Sequence, residues 1–408
     1  MNSRVVAYSR PRSFRLVAGN LRGAMWAVRS LFFLNGFMFA SWATRIPAFR
    51  DTYQLDNAQL GIALIGIAFG ALISMPMAGW LCEKYGSNRI CTVSAILYLL
   101  SLVSIAFAPN LIVLGVLLIS FGVGHGLLDV AMNLQVVEIE DRLKKTVMST
   151  FHALWSVGGL AGAITGVLLT AADFTMQRHF IVTSLGIGLL VWVIRPFLLP
   201  PRKHSTGDAQ TVSHGLSFRF TKKTMALGVV AFCVMLCEGA MADWSAVFLH
   251  DVLGADEILS AVAYAIFALT MASGRFAGDA LVERWGSAKQ VYFSAVLAVA
   301  GLLCVTVSNH PALALFGFGM VGAGLATIVP IVFSVSGKLS GIPAGVALGS
   351  VSTVGYLGFL LGPPAIGFIS QWLHLRVAFG LLIVLTVVVV FLAQIVKPDN
   401  TSTEQSCR

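Results

Sequence analysis

The sequence predicts an all-α membrane protein of twelve transmembrane helices, arranged as two pseudo-symmetric halves of six. Three observations predict it. Apolar residues make up 57% of the 408 and charged residues only 11%, against roughly 25% charged in soluble domains. Apolar runs of about 20 residues recur along the chain, each long enough to cross the hydrocarbon core as a helix. Lipid offers the backbone no hydrogen bonds, so helices are what such runs must form. Finally, one charged loop occurs twice, offset by 200 residues: Glu83-Lys84-Tyr85-Gly86-Ser87-Asn88-Arg89 and Glu283-Arg284-Trp285-Gly286-Ser287-Ala288-Lys289. Both copies keep the order acid, base, aromatic, Gly, Ser, any residue, base, between two apolar stretches, as an internally duplicated transporter would.

In order, the spans are read at 24–45, 59–82, 89–108, 111–134, 147–171, 179–199, 225–249, 258–282, 289–308, 312–335, 345–370 and 377–396. Residues 1–23 carry five arginines and no acid, which suits a retained tail or an Arg-rich transit peptide. Residues 24–199 form the first half and 225–396 the second. Between them, 200–224 holds Pro-Pro, Lys, His, Ser, Thr, Gly and Asp and reads as a linker. A short tail follows at 397–408.

Basic residues orient this chain. The side that holds both termini, the two repeated loops and the linker carries 21 of the 27 Lys and Arg, and the opposite side carries four. The positive-inside rule then places both termini and the linker in the cytoplasm. The net charge of +9 does not point to nucleic acid, because the bases lie in loops and tails rather than on one folded face. Cysteines 82, 91, 233, 237, 304 and 407 show neither metal-knuckle nor disulfide-framework spacing. No Walker-type loop, His-Glu-x-x-His or Gly-x-Ser-x-Gly is present, which speaks against a primary pump and an intramembrane hydrolase.

The loop after span two, Gly79-Trp80-Leu81-Cys82-Glu83-Lys84-Tyr85-Gly86 ending at Arg89, resembles the signature of the major facilitator superfamily, with Glu in place of Asp. In the second copy Asp279 stands where the leading Gly would be. Within span four, Gly124-His125-Gly126-Leu127-Leu128-Asp129-Val130-Ala131-Met132-Asn133 resembles the fucose permease branch. Ala40 to Arg45, Glu238 and Ala242-Asp243-Trp244 are similar to the YbjJ-type group of bacterial inner-membrane proteins in that branch. The resemblance implies a multi-pass, monomeric transporter of the bacterial inner membrane. It also implies alternating access, a substrate cavity between the halves lined by spans one, four, seven and ten, and a span-four carboxylate serving proton symport. The branch's span-one acid matches a position near Ala43, and its span-five sugar-binding amide matches His152 and Trp155; those departures set hexose recognition apart from proton coupling.

Polar residues within spans cost free energy and therefore face the bundle interior or a wet cavity. Glu238 lies near the middle of span seven and is the first candidate for proton coupling, the other reading being a fixed helix–helix hydrogen bond. His125, Asp129 and Asn133 recur every fourth residue and share one face of span four. There Asp129 is the candidate proton acceptor, and His125 and Asn133 are candidate substrate ligands, or else Asp129 is a hydrated helix-end charge. On span one, Asn35 is placed to bond a substrate and Trp42 to stack on it; an interhelical amide bond and an interfacial tryptophan are the other readings. Arg45, at the outer end, either attracts an anion or snorkels. His152 and Trp155 on span five are further substrate candidates. Arg275 and Asp279, four apart on span eight, are expected to pair with each other in a gating role. The resemblance gives gating also to Gly79, Glu83, Lys84, Gly86, Arg89, Glu283 and Arg284. Pro330 and Pro363-Pro364 are expected to break or thin spans ten and eleven. His125 and His152 lack a third ligand for a metal, and no cofactor is expected.

The expected function is secondary active transport of a small polar solute, sugar-like or another metabolite, by proton symport. The alternatives are a proton-driven exporter and a membrane sensor or scaffold that does not transport. Against the exporter, the Gly-Pro pair of the antiporter pattern is missing from span five, which reads Gly158-Gly159 and Gly162 to Gly166 without proline.

Overall fold

The structure, a computed structural model, describes residues 12–54, 57–200 and 221–397. Of the expected tails at 1–23 and 397–408 and the expected linker at 200–224, residues 1–11, 398–408 and 201–220 lie outside the described residues. The first half contains α1 (Arg12–Ala43), α2 (Ile46–Thr52), α3 (Asn57–Tyr85), α4 (Ser87–Ile105), α5 (Leu111–Leu143), α6 (Met148–Ala171) and α7 (Met176–Ile194). The second half contains α8 (Lys222–Val247), α9 (Glu257–Trp285), α10 (Ser287–Val307), α11 (Pro311–Leu325), α12 (Ile328–Ser336), α13 (Ala344–Leu373) and α14 (Leu375–Leu392). Among the described residues there are twelve candidate membrane spans, with α11 and α12 together forming the tenth and the short α2 forming none.

The duplication read from the loops extends through the helices. α3 ends at Tyr85 and α9 at Trp285, α4 starts at Ser87 and α10 at Ser287, and α5 starts at Leu111 and α11 at Pro311. The offset of 200 also governs packing. A Cβ on Gly122 would lie 2.0 Å from the Ile67 carbonyl oxygen, and one on Gly322 would lie 2.3 Å from that of Phe267. Small residues thus let α5 press on α3, and α11 on α9, backbone to backbone. Gly158 against Phe33 and Gly358 against Phe232 do the same for α6 on α1 and α13 on α8. Both repeated loops turn on a glycine with positive φ, +89° at Gly86 and +77° at Gly286, a conformation that side-chain-bearing residues rarely adopt.

Two features differ from the sequence reading. The fourth span continues to Leu143 rather than ending near 134. Its last turns are polar, so hydropathy loses them. They stay helical because Gln135 donates to Ser87 Oγ (2.7 Å) and to the Leu199 carbonyl (3.0 Å) while accepting from Leu199 N. Pro363-Pro364 does not interrupt α13, whereas the tenth span does break, at Ala326–Thr327. Pro330 has no N–H for the Ala326 carbonyl. Gln290 and Ser294 of α10 hold Thr327 Oγ1 beside the break at 3.2 and 3.1 Å.

Among the described residues, the bonds joining the two halves lie between the middle of the membrane and the side bearing the repeated loops, here called the hinge side. At the closest approach, a Cβ on Gly79 would lie 2.3 Å from the Gly345 carbonyl oxygen.

Candidate transport site

The centre is held by one guanidinium. Arg275, midway along α9, donates through Nη2 to both carboxylate oxygens of Glu238 on α8, at 3.2 and 3.4 Å. Its Nη1 donates to Ser156 Oγ on α6 at 2.8 Å. A single side chain therefore ties two helices of the second half to one of the first. The planar fork of arginine suits this, since its donors point in fixed directions. Pairing is also what makes the two charges tolerable at this depth. Arg275 Nε is buried with no partner.

The first half presents a second polar group to the same region. Asn133 of α5 donates to the Asp129 carbonyl at 2.8 Å and lies 3.4 Å from its Oδ1. The Asn133 Oδ1 meets His152 Nε2 of α6 at 3.1 Å. An amide oxygen only accepts, so the neutral imidazole carries its proton on Nε2. Trp155 Nε1 donates to Asn35 Oδ1 at 3.2 Å, and Asn35 reaches the Met132 sulfur at 3.9 Å. His125 Nε2 lies 3.4 Å from Tyr356 Oη of α13, and the Tyr356 hydroxyl also acts on Asp129. Asp129 Oδ2 and His125 Nδ1 are buried without partners. Ser156, which accepts from Arg275, donates in turn to the His152 carbonyl at 3.4 Å, so the two groups form one polar band across the interface between halves. Among the described residues, no three His, Cys, Asp or Glu side chains converge as a metal site requires.

Of the residues singled out in the sequence, the structure joins Asn133 to Asp129 and His152, pairs Asn35 with Trp155, sets His125 beside Tyr356 and ties Glu238 to Arg275. Trp42 instead is 3% exposed and packs on Phe49 and Phe121 at ring distances of 4.8 and 6.1 Å. This indole completes an aromatic core inside the first half. Arg45 neither snorkels nor faces the centre. It is buried, donating to His179 Nδ1 and to the Phe174 carbonyl, each at 3.0 Å, and burial lowers its pKa from the usual arginine value.

Asp279 supplies a larger correction. It does not pair with Arg275, four residues earlier, because its carboxylate points across the interface to the start of α6. There it accepts from Ser149 N (2.9 Å), Thr150 N (2.8 Å) and Thr150 Oγ1 (2.5 Å). Glu140, from the end of α5, accepts from the two preceding amides, Val147 N at 2.8 Å and Met148 N at 3.0 Å. Two carboxylates, one from each half, thus cap the four amides at the start of α6, where unpaired donors and the helix dipole favour negative charge. Glu140 also takes a bond from Ser334 Oγ and one from Lys338 Nζ at 2.5 Å, reaching the second half itself.

The remaining hinge residues flank this contact. Glu83 Oε1 accepts from Gly345 N, at the start of α13, at 3.1 Å. Lys145 approaches Glu283 at 3.9 Å on the surface. Lys84 lies over the rings of Trp80 and Tyr85, and Arg89 and Arg284 are exposed.

Sequence reasoning missed Glu140, Lys338, Ser156 and Tyr356. For Ser156 the available signal was its position one turn beyond His152. Glu140 lay in a charged run that reads as a solvated loop.

A helical bundle of two pseudo-symmetric halves, joined by bonds at mid-membrane and on one face, has the architecture of a multi-pass membrane transporter. The description of the Major Facilitator Superfamily matches residues 28–346, and the chain belongs to that family. An uncharacterized transporter, y4wD, of Sinorhizobium fredii is 35% identical over 366 residues, covering 90% of this chain and 96% of its own. Among solved structures, the human organic anion transporter MFSD10 (TETRAN) superposes with a TM-score of 0.76 at 16% identity, over 92% of this chain and 99% of its own. The Escherichia coli fucose:proton symporter FucP gives a TM-score of 0.72 at 19% identity, over 91% and 98%.

Proposed function

We propose that this protein carries a small polar solute by alternating access, driven by proton symport, with Glu238 as the principal proton acceptor and Asp129 as a second. The observation that carries the reading is the Glu238–Arg275–Ser156 link between the halves at mid-membrane. A proton on Glu238 weakens its hold on Arg275, so protonation changes a contact that lies on the interface itself. Asp129, buried with one oxygen unpartnered, offers a proton site in the opposing half. To Asn133, His152, Asn35, Trp155 and His125 we assign the contacts with the solute. The hinge side is cytoplasmic by the distribution of Lys and Arg, with the chain in a bacterial inner membrane as a monomer of two six-helix halves joined by the 200–224 linker. On that assignment the protein is outward-facing, held by the hinge-side contacts of Glu83, Asp279 and Glu140.

The test uses purified protein in liposomes that enclose a pH-sensitive dye. Sugars, polyols, nucleosides and organic acids are added outside in turn. Internal acidification by one compound, lost in Glu238→Gln or Asp129→Asn, is expected. Entry of a compound while the dye stays silent makes the protein a facilitator and removes both proton assignments. Movement of the compound only against an inward proton gradient makes it an exporter instead.

A further inference from the structure

We propose that the solute carries a carboxylate, which takes the place of Glu238 on the Arg275 guanidinium when Glu238 accepts a proton. The proposal rests on the symport reading above and adds the chemical class of the substrate.

Four observations support it. First, the guanidinium already holds a carboxylate, that of Glu238, through Nη2 at 3.2 and 3.4 Å. Arginine recognises carboxylates in this way wherever planar, charge-assisted bonding is needed. Second, the two partners are held unequally. Arg275 is fixed from behind by Ser156 Oγ at 2.8 Å and its side chain is 7% exposed, against 18% for Glu238. The acid is the partner free to leave, and the guanidinium is the one that stays. Third, the neutral ligands suited to hydroxyl groups are engaged with one another. Asn35 Oδ1 takes Trp155, and Asn133 takes His152 and the Asp129 carbonyl. The strongest anchor facing the centre is therefore a cation. Fourth, protonating Glu238 alone would strand that cation in the middle of the membrane, where an unpaired charge is costly. A neutral solute does nothing to relieve this, whereas an anion does. The titratable groups facing the pair among the described residues are Tyr264 on α9, His152 on α6 and Tyr356 on α13, with Asp243 beside Tyr264; none of them is a second cation.

The balance is simple. A proton from the bulk binds one Glu238 oxygen, and the Nη2 contacts to that carboxylate break. The solute's carboxylate oxygens accept the freed N–H donors. On the far side the solute leaves, Glu238 loses its proton to the bulk, and the original pair re-forms. One proton and one monoanion cross together, so no net charge moves.

That electroneutrality is testable with the full chain in liposomes containing a pH dye, with potassium and valinomycin setting the voltage. The probes are gluconate, lactate and glucose. We expect at least one of the two carboxylates to acidify the lumen at a rate that changes less than about twofold with voltage of either sign, since no charge is carried. Arg275→Gln is expected to lower its uptake by about thirtyfold or more, the effect of removing one partner of a buried charge pair. In Glu238→Gln, uptake no longer responds to the proton gradient while exchange of labelled for unlabelled solute persists. Acidification by glucose and by neither carboxylate overturns the proposal and leaves proton coupling standing. Carboxylate entry without acidification removes the proton coupling and, with it, the proton-driven exchange on Arg275. Carboxylate uptake that survives in Arg275→Gln, or that carries net charge together with a proton, overturns the assignment of Arg275. If no probe moves, thermal stabilisation of the solubilised protein decides: a shift with gluconate or lactate that Arg275→Gln lacks supports the proposal, and its absence overturns it.

Discussion

Asp279→Ala tests whether the start of α6 holds the hinge side closed. The substitution removes the acceptor for Ser149 N at 2.9 Å, Thr150 N at 2.8 Å and Thr150 Oγ1 at 2.5 Å. Hydrogen bonds to a charged group contribute about 1.5–3 kcal/mol each. Asp279 is only half-buried, so water recovers much of this. A working figure is about 2–3 kcal/mol lost from the closed state, since the carboxylate is equally solvated once the halves part. At 1.4 kcal/mol per tenfold, the closed-to-open ratio falls roughly 30- to 150-fold. The assay is crosslinking of Lys145→Cys with Glu283→Cys by a short bismaleimide, after the native cysteines are replaced. Those two side chains face each other across the interface at 3.9 Å and are 67% and 49% exposed, so the reporter itself removes little stability. Crosslinking is expected to slow markedly in Asp279→Ala and by less in Asp279→Asn, which keeps one acceptor oxygen. Crosslinking and transport both at wild-type rates in Asp279→Ala would refute the reasoning.

Other substitutions separate the gate from the core. Gly79→Val meets the Gly345 carbonyl at 2.3 Å from its Cβ; backbone faces backbone and neither can yield cheaply, so the same crosslink is expected to fall while the protein still inserts. Glu140→Gln leaves Lys338, paired at 2.5 Å in the parent, without its counter-charge, and hinge-side labelling of cysteines placed near Ser334 is expected to rise. Trp42→Ala opens a hole among Phe49 and Phe121 and is expected to cost about 3–5 kcal/mol of stability, read as a lower melting temperature. An unchanged KM in that variant is the expected companion, and a rise in KM at constant stability would return Trp42 to the site.

The legible part of the sequence was whatever repeats or whatever lipid forbids. Hydropathy located the spans because a lipid-exposed helix must be apolar, and it failed at 135–143, where α5 leaves that constraint and is held by Gln135 and Glu140 instead. Midplane polarity singled out Glu238, whose burial is costly, and four-residue spacing together with the family resemblance singled out the α5 stripe. Partners were harder. The spacing of Arg275 and Asp279 fits an intrahelical pair, but each side chain meets a better partner across an interface that the sequence does not display, a carboxylate for one and helix-start amides for the other. Trp42 shows the same limit. A tryptophan near a span end reads equally well as belt, ligand or core, and only the neighbouring Phe49 and Phe121 decide.

The two copies of the signature close the hinge side with different residues at different depths. In the first, Glu83 reaches the start of α13 from the last turn of α3, and Gly79, one turn earlier, lets the backbones touch. In the second, Glu283 is spent on Lys145 at the surface, and the acid that caps α6 is Asp279, at the position equivalent to Gly79. A shorter side chain from a nearer turn delivers its carboxylate to the pseudo-equivalent helix start. The loss of the leading glycine in the second copy is therefore a relocation of the acid. The loads also differ. The start of α13 follows Pro343, which has no N–H to satisfy, and Glu83 accepts from the Gly345 amide there. The start of α6 presents four amides in sequence and takes two carboxylates, one from each half. A helix N-terminus carries about half a unit of positive charge, so separating Asp279 from α6 leaves two adjacent amides without their acceptor. The α6 contact is also held by carboxylates of both halves. In the same crosslinking assay Asp279→Ala is expected to open the hinge side more than Glu83→Ala, and equal effects would mean that the two contacts share the load by symmetry despite their different chemistry.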